Sequence, residues 1–252
     1  MHFYFRIRVQ ERSAMQTGTR KMRLGMPHLP YRTVTDRETL EREIYPDMRK
    51  HYYWSENFSA AYYIAQAKAG FIAITEEDKE GPLLLPEIQF AYALLDFEML
   101  HISRKVRRLL KKREITLKRE CTLDAVASAI GKKHKQNWLT PRYLQTLKAT
   151  EGIDESFQPL AFSIREGDRL IAGEIGYKIG KTYTSLSGFS RQEREYNHYG
   201  TAQLVLLAHY LQAEGYAFWN LGQPYMPYKF ALGARTYSRA DFLARWQEAT
   251  AP

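Results

Sequence analysis

The chain has 252 residues, of which 44% are hydrophobic and 26% are charged. This length and composition exclude a disordered or fibrous chain, and they favour one large domain or a small domain beside a larger one. The formal net charge of +9 at pH 7 favours a polyanionic partner such as nucleic acid, although basic proteins without such a partner are common.

The sequence also bears on compartment. No stretch reaches the roughly 18 apolar residues of a membrane span. The single cysteine, Cys121, cannot form an internal disulfide, which favours a reducing compartment. We therefore expect a cytoplasmic protein with no membrane partner, and we expect a monomer.

The first part of the chain predicts two helices and then strands. Residues Thr35 to Arg42 predict a short helix capped by Thr35. Residues Ser59 to Ala69 predict a second helix, closed by Gly70 where a positive φ is cheap. A polar loop is expected from Glu76 to Pro82, followed by one or two buried strands within Leu83 to Phe97.

The densest charge lies in the next segment. Seven of the ten residues from Arg104 to Arg113 are Lys or Arg. Val106, Leu109 and Leu110 recur at i, i+3 and i+4, so the segment predicts an amphipathic helix with a cationic outer face, and Ser103 is a suitable N-cap.

Two shorter helices are predicted after the basic helix. Thr122 to Gly131 predicts one, which Lys132 and Lys133 follow directly. Thr140 as N-cap and Pro141 at the first helical position predict the other.

The remainder of the chain has the pattern of a sheet with covering helices. Turn residues Glu166-Gly167-Asp168 predict a hairpin, and the further strands and helices alternate after it. The predicted strands are 160–165, 169–177, 181–187 and 216–221, and the predicted helices are 200–214 and 239–246. This order indicates an α/β (α+β) fold with an acetyltransferase-like mixed sheet flanked by helices over residues 99–252, and residues 1–98 form a smaller N-terminal α/β domain.

Several short motifs occur in a fixed order. They are Leu100-His101-Ile102-Ser103-Arg104 before the basic helix, Trp138-Leu139-Thr140, Phe189-Ser190-Arg191, and Gln223 ahead of Leu232-Gly233-Ala234. In order and spacing they resemble the motifs of the leucyl/phenylalanyl-tRNA-protein transferases. The resemblance runs from about Glu56 to Trp246.

The resemblance implies an aminoacyltransferase. Such an enzyme takes leucine or phenylalanine from aminoacyl-tRNA and joins it to the N-terminal Lys or Arg of a protein, which marks that protein for degradation under the N-end rule. Because an aminoacyl ester is already activated, the enzyme has to hold ester and amine together, and we expect no metal and no cofactor.

The resemblance also implies residue roles. Trp138 stacks on the terminal adenine, and Leu186, Ser187 and Phe189 belong to the substrate-binding strand. Gln223 corresponds to the family's catalytic glutamine, and we expect its amide to accept a hydrogen bond from the attacking amine. The cations expected to bind tRNA phosphates are Arg104, Lys105, Arg107, Arg108, Lys111, Lys112, Lys132 and Lys133.

Two departures from the family pattern concern the site. Leu221 stands where the family has an aspartate, so no carboxylate is expected near Gln223, and Asn220 can supply hydrogen bonds but no charge. Leu186 replaces an acidic residue of the amino-acid pocket. We therefore expect the aminoacyl group, the acceptor amine, or both to differ from those of the family.

Two other functions stay open at this stage. One is a coenzyme A dependent N-acetyltransferase on the same fold, although the segment Tyr199 to Ala202 supplies one glycine for a pyrophosphate cradle. The other is a non-catalytic RNA-binding protein that keeps the basic helix and Trp138.

Overall fold

The computed structural model describes residues 22–134 and 137–251. The strands within these ranges are β1 (Met22–Arg23), β2 (Met26–Pro27), β3 (Ile72–Asp78), β4 (Gly81–Glu87), β5 (Ala91–Leu95), β6 (Lys118–Arg119), β7 (Phe157–Glu166), β8 (Arg169–Ile179), β9 (Thr182–Ser190), β10 (Phe218–Asn220) and β11 (Arg235–Ser238). The α-helices are α1 (Tyr31–Thr35), α2 (Arg37–Thr39), α3 (Ala60–Lys68), α4 (Arg104–Lys112), α5 (Asp124–Lys133), α6 (Pro141–Ala149), α7 (Tyr199–Ala213), α8 (Pro227–Ala231) and α9 (Arg239–Thr250).

A seven-stranded sheet forms the centre, in the order β11-β5-β10-β9-β8-β7-β6. Strands β9 and β10 pair in parallel, and the remaining neighbours pair antiparallel. Helices cover both faces of this sheet. The predicted α/β (α+β) fold with a mixed sheet flanked by helices is confirmed.

Side chains alternate between the two faces of the sheet, because successive residues of a strand point in opposite directions. On one face α4 and α7 pack over a cluster that includes Val106, Phe162 and Trp219. The opposite face carries the larger cluster, which includes Val126 of α5 and Trp246 of α9 and also draws on α3 and α6. The sheet therefore separates the basic helix α4 from α5.

The hairpin of β3 and β4 is a separate two-stranded sheet, paired from Ile72 and Glu87 down to Asp78 and Gly81. The expectation of a polar loop from residue 76 to 82 is wrong, because only residues 79 and 80 form the turn. The polar residues at the turn end of this hairpin keep strand geometry because Arg23 holds them. Its guanidinium donates to the Asp78 carboxylate and to the Gly81 carbonyl. Polar residues at this end are thus held by side chains as well as by the strand ladder.

Chain segment 88–90, which follows β4, is fixed by one buried cation. Arg239, 1% exposed, donates five hydrogen bonds to backbone carbonyls. The acceptors are the carbonyls of Tyr45, Asp47, Lys50, Ile88 and Gln89, at 2.7 to 3.2 Å. This cation therefore joins the start of α9 to the segment that continues from β4 into β5.

Several local signals are confirmed and others are corrected. Ser103 and Thr140 cap α4 and α6 as expected, and Ser59, the first residue of the predicted second helix, caps α3. The cap of the short helix at residue 37 is Asp36, not Thr35, because the Asp36 carboxylate accepts from the backbone N–H of Glu38. Strand β5 pairs with β10 and β11 inside the central sheet, and the division of the chain at residue 98 stays a prediction.

Candidate functional site

An opening in the central sheet lies between β9 and the chain that leaves β10. Strand pairing between them ends at Asn220, opposite Thr184. Beyond that point Leu221 and Gly222 hydrogen-bond to Ala93 of β5, whereas β9 continues to Ser190 along β8. The backbones therefore diverge, and residues 185–190 of β9 have no strand partner on the side of Gln223.

Gln223 stands at this divergence, three residues after the end of β10. Its side-chain Nε2 donates to both carboxylate oxygens of Glu87, at 2.8 and 3.1 Å, and lies 3.3 Å from the hydroxyl of Tyr52. A carboxylate only accepts hydrogen bonds, so this contact requires the NH₂ end of the amide to face Glu87. Within the described residues, the amide oxygen of Gln223 has no hydrogen-bond partner and is available as an acceptor.

Glu87 ends β4 and is 8% exposed. Burial raises the pKa of its carboxyl to about 7, and hydrogen bonds from Gln223, Tyr52 and Gln89 together with the positive charge of Arg239 limit the rise. Gln89 Nε2 is 3.4 Å from the same carboxylate. The carboxylate is thus surrounded by donors but has no ion pair within the described part of the chain.

The backbone around Gln223 is held by a second buried charge. Lys229 of α8 is 5% exposed, and its Nζ donates to the carbonyls of Leu221 and Gln223 at 2.5 and 2.7 Å. Burial lowers the pKa of this ammonium group to about 8. Glu87 therefore fixes the side chain of Gln223, and Lys229 fixes its main chain.

The expectation of no carboxylate near Gln223 is wrong. Leu221 is buried at the position of the family aspartate, and the carboxylate comes instead from Glu87, on another strand. Asn220 is 1% exposed; its side chain accepts from the N–H of Gly222 and donates to Thr184 Oγ1. Both ends of Asn220 are thus engaged within the protein, and its role in the reaction stays a prediction.

The expected substrate-binding residues lie on the unpaired part of β9. Its register with β8 shifts between the pairs Ile175–Ser187 and Gly176–Ser185, so Leu186 is the extra residue of a β-bulge. Leu186 and Phe189 are half-buried against the larger core cluster, and Ser187 is half-buried as well. The bulge therefore lies in the part of β9 that has no strand partner on the side of Gln223.

Trp138 is not in contact with Gln223. Its ring packs edge-on against Tyr143, with ring centres 5.2 Å apart, and its carbonyl accepts from the Thr75 hydroxyl. Thr75 on β3 is three residue pairs, roughly 10 Å, from Glu87 on β4, and the odd spacing puts the two side chains on opposite faces of the hairpin. Stacking of Trp138 on an adenine stays a prediction.

The expected tRNA-binding cations are exposed but form two groups. Those of α4 lie on one face of the central sheet, and Lys132 and Lys133 of α5 lie on the other. The α4 group is tied to the site, because His101 Nδ1 donates to the Ala231 carbonyl of α8 at 3.0 Å. Lys132 and Lys133 line a cleft of about 500 Å³ that also contains Phe189 and Arg191 but not Gln223.

The contacts of Gln223 include residues that the sequence did not indicate. Glu87 is the lone carboxylate of an apolar strand, and Lys229 is the lone charge in the aromatic segment Tyr225 to Phe230. A single charged residue among apolar residues indicates that its side chain has a polar partner elsewhere in the protein. The partner itself is visible only in three dimensions. Among residues 22–134 and 137–251, no group of three His, Cys, Asp or Glu side chains is placed to hold a metal ion, and no helix has the length and apolar character to cross a membrane.

Proteins of known sequence and structure resemble this chain. A curated leucyl/phenylalanyl-tRNA–protein transferase from Maridesulfovibrio salexigens is 28% identical over 68% of this chain and 70% of its own length. The relative of the same name from Xanthomonas axonopodis pv. citri is 27% identical over 60% of this chain and 59% of its own. The solved structure of FemX is similar at a TM-score of 0.44, with 11% identity over 59% of each chain.

The sequence profile of the leucyl/phenylalanyl-tRNA protein transferase family matches residues 94–247, which are 154 of the 252 residues. That segment runs from the last two residues of β5 through the basic helix and the other six strands of the central sheet, β6 to β11, and it includes Gln223. The chain therefore belongs to the leucyl/phenylalanyl-tRNA protein transferase family.

Proposed function

We propose that this protein transfers an amino acid from aminoacyl-tRNA to an amine, such as the N-terminus of a protein or peptide. The observation that carries the proposal is the amide of Gln223: it is fixed on its nitrogen side by Glu87 and open on its oxygen side, beside the gap between β9 and residues 221–223. An amine hydrogen-bonded to that oxygen would be positioned to attack an ester held in the gap. We propose the cytoplasm as the site of action; a monomeric state stays a prediction.

The reaction needs little chemistry beyond positioning. The amine nitrogen forms a bond with the ester carbonyl carbon, and the bond from that carbon to the ribose oxygen of the terminal nucleotide breaks. The amine loses one proton and the departing ribose oxygen gains one, so protons balance. Gln223 is too weak a base to keep the proton, and its part is to orient the amine.

The tRNA would approach along α4. The six cations of this helix that we assign to tRNA are exposed, and none of them forms an ion pair within the described residues. They are Arg104, Lys105, Arg107, Arg108, Lys111 and Lys112. Unpaired cations on one helix face attract phosphates and release counterions on binding, and the link from His101 to α8 connects this helix with the loop of Gln223.

The family indicates the class of the transferred aminoacyl group, and the residues of β9 narrow that class further. The acidic residue of the family's amino-acid pocket is Leu186 here, and the half-buried Leu186 and Phe189 give the exposed part of β9 an apolar surface. We propose an apolar, leucine-like aminoacyl group.

The experiment supplies a mixture of radiolabelled aminoacyl-tRNAs and a panel of peptides that differ in their first residue. Label should enter a peptide with the wild-type protein, and Gln223→Ala should lower the turnover by about 10²-fold or more while tRNA binding stays nearly unchanged. Gln247→Ala, which changes an exposed glutamine of α9, is the matched control and should retain activity. Transfer from acetyl-coenzyme A instead, or binding of charged and uncharged tRNA with equal affinity and no transfer, would contradict the proposal.

A further inference from the structure

Glu87 is a carboxylate with an unusual position in this molecule. It closes the last residue pair of the β3–β4 hairpin, and its side chain reaches out of that hairpin to Gln223, 136 residues away in the chain. Both of its oxygens are within hydrogen-bond distance of one nitrogen, the Nε2 of Gln223. An arrangement of this kind fixes an amide group in one of its two flipped orientations.

We propose that Glu87 is the positioning residue of the transfer reaction: its ionised carboxylate holds the NH₂ end of Gln223, so that the amide oxygen faces the attacking amine. This inference rests on the proposed function for its meaning, but the contact itself can be tested separately. Glu87 acts through Gln223 and is assigned no contact with the substrate. It supplies the negative charge that Leu221 lacks.

Ionisation of Glu87 decides the orientation. An ionised carboxylate can only accept, so it binds the NH₂ end of the amide; a protonated carboxyl can also donate, and then it can bind the oxygen of Gln223 instead. The protonated carboxyl of Glu87 thus competes with the incoming amine for the amide oxygen of Gln223. We expect the productive orientation to be lost as the pH falls below the pKa of this carboxyl, about 7.

The neighbours of Glu87 define this titration. Burial disfavours the charge, whereas the hydrogen bonds from Gln223, Tyr52 and Gln89 and the fixed charge of Arg239 favour it. Tyr92 of β5, whose pKa burial raises well above its usual value, stays neutral, and the ammonium of Lys229 is directed to two backbone carbonyls. In the described structure no second carboxylate influences this group.

The first test reads the contact without any substrate. In the NMR spectrum, the side-chain NH₂ of Gln223, assigned by its absence in Gln223→Ala, should shift with pH with a midpoint of about 7. The shift should vanish in Glu87→Gln. It should persist in Glu174→Gln, the matched control, which removes another buried carboxyl whose pKa burial raises to about 7. A Gln223 signal that does not titrate, or that titrates equally in Glu87→Gln, would overturn the inference even if the protein proves to be a transferase.

The second test uses transfer by the wild-type protein. The acceptor amine, with a pKa of about 8, and Glu87 must both be deprotonated, so the logarithm of kcat/KM should rise with a slope approaching 2 below pH 7. Glu87→Gln should lower kcat/KM at pH 8 about 10- to 100-fold, as a misplaced reacting group does, and should reduce the slope to 1 while tRNA affinity is unchanged. Glu87→Asp keeps the charge and should restore the slope of 2 at a reduced rate.

The outcomes separate the two proposals. Wild-type protein that transfers no amino acid would refute the proposed function, whereas Glu87→Gln protein with wild-type rate and slope would refute only the role of Glu87. Thermal unfolding of each variant shows whether a lost rate reflects lost folding. Glu87→Asp gives a second variant with the original charge.

Discussion

Two buried carboxyl groups, Glu87 and Glu174, differ in how the fold holds them. Burial raises the pKa of each to about 7. Glu174 lies in the interior of β8, paired with Phe162 of β7 and with Gly188 of β9 beside the bulge, and accepts hydrogen bonds from Ser185 at 2.8 Å and from Tyr183 at 3.0 Å. Glu87 lies at the end of a separate hairpin and binds a side chain from the central sheet.

The difference shows that a raised pKa does not by itself define a role. The hydroxyl groups that donate to Glu174 belong to the neighbouring strand β9. The charge state of Glu174 therefore affects hydrogen bonding inside the sheet. The partner of Glu87 is the amide of Gln223, whose oxygen has no hydrogen-bond partner within the described residues. We expect both groups to influence stability, and only Glu87 to influence transfer.

The largest expected effect comes from the cation behind Glu87. Arg239→Met should lower the free energy of unfolding by about 3–5 kcal/mol, because five backbone carbonyls, two of them in buried and three in part-buried hydrogen bonds, lose their donor. Chemical denaturation measures this loss. Arg245→Met on the same helix is the control: Arg245 is part-exposed, pairs with Asp96 and lies over the rings of Phe218 and Tyr237, so its removal should cost less, about 1–2 kcal/mol.

Equal losses in the two arginine variants would contradict the view that Arg239 builds the surroundings of Glu87. Pairing of β8 with its neighbours does not involve Arg239. A destabilised but folded Arg239→Met protein should therefore keep the titration of Glu174 and change that of Glu87.

A smaller effect is expected from Glu174→Gln, measured as stability against pH. With its folded pKa raised from 4.5 to about 7, Glu174 holds its proton more tightly in the folded than in the unfolded protein. The stability that this contributes is fully present below pH 4.5 and is lost as the pH rises through 7, a loss of about 3 kcal/mol. Relative to wild type, Glu174→Gln should therefore gain stability over this window.

Glu87→Gln should show a gain of the same sign, and the two variants should differ in transfer. If Glu174→Gln changes the slope of the transfer pH profile as much as Glu87→Gln does, the distinction between the two carboxyl groups fails. If the difference in unfolding free energy between Glu174→Gln and wild type does not change between pH 4.5 and 7, the pKa of Glu174 is not raised in the folded protein.

The sequence predicted the elements that have a local signal. Helix α4 has an apolar stripe and a serine cap, and the β7–β8 hairpin has its Glu166-Gly167-Asp168 turn, so each is recognisable over a few residues. Helix α8 and strand β11 were missed because they are short and the aromatic residues from Tyr225 to Phe230 follow no period. Their positions depend on tertiary contacts such as that of Lys229.

The candidate site was predictable only in part, for the same reason. Gln223 follows from the order of motifs, but its partner Glu87 is 136 residues away on a strand that pairs outside the central sheet. The bulge at Leu186 is likewise a property of the register between β8 and β9, not of either sequence alone. The two faces on which the cations of α4 and α5 lie depend on which side of the sheet each helix packs.

The smallest expected effect concerns the exposed basic helix and extends the comparison from buried to exposed charge. Arg108→Ala should leave the free energy of unfolding within about 0.5 kcal/mol of wild type, because the side chain is exposed and has no ion pair in the described structure. If Arg108 contacts a phosphate, tRNA affinity should fall and the slope of log K against log[salt] should decrease in magnitude by about 0.7–0.9. Lys181→Ala, at the β8–β9 turn near the end of α9, is an exposed control that should leave this slope unchanged.

Since α4 and α5 lie on opposite faces of the sheet, the same measurement on Lys132→Ala decides which face the tRNA uses. A change in slope for Lys132→Ala but not for Arg108→Ala would place the tRNA on the face of α5.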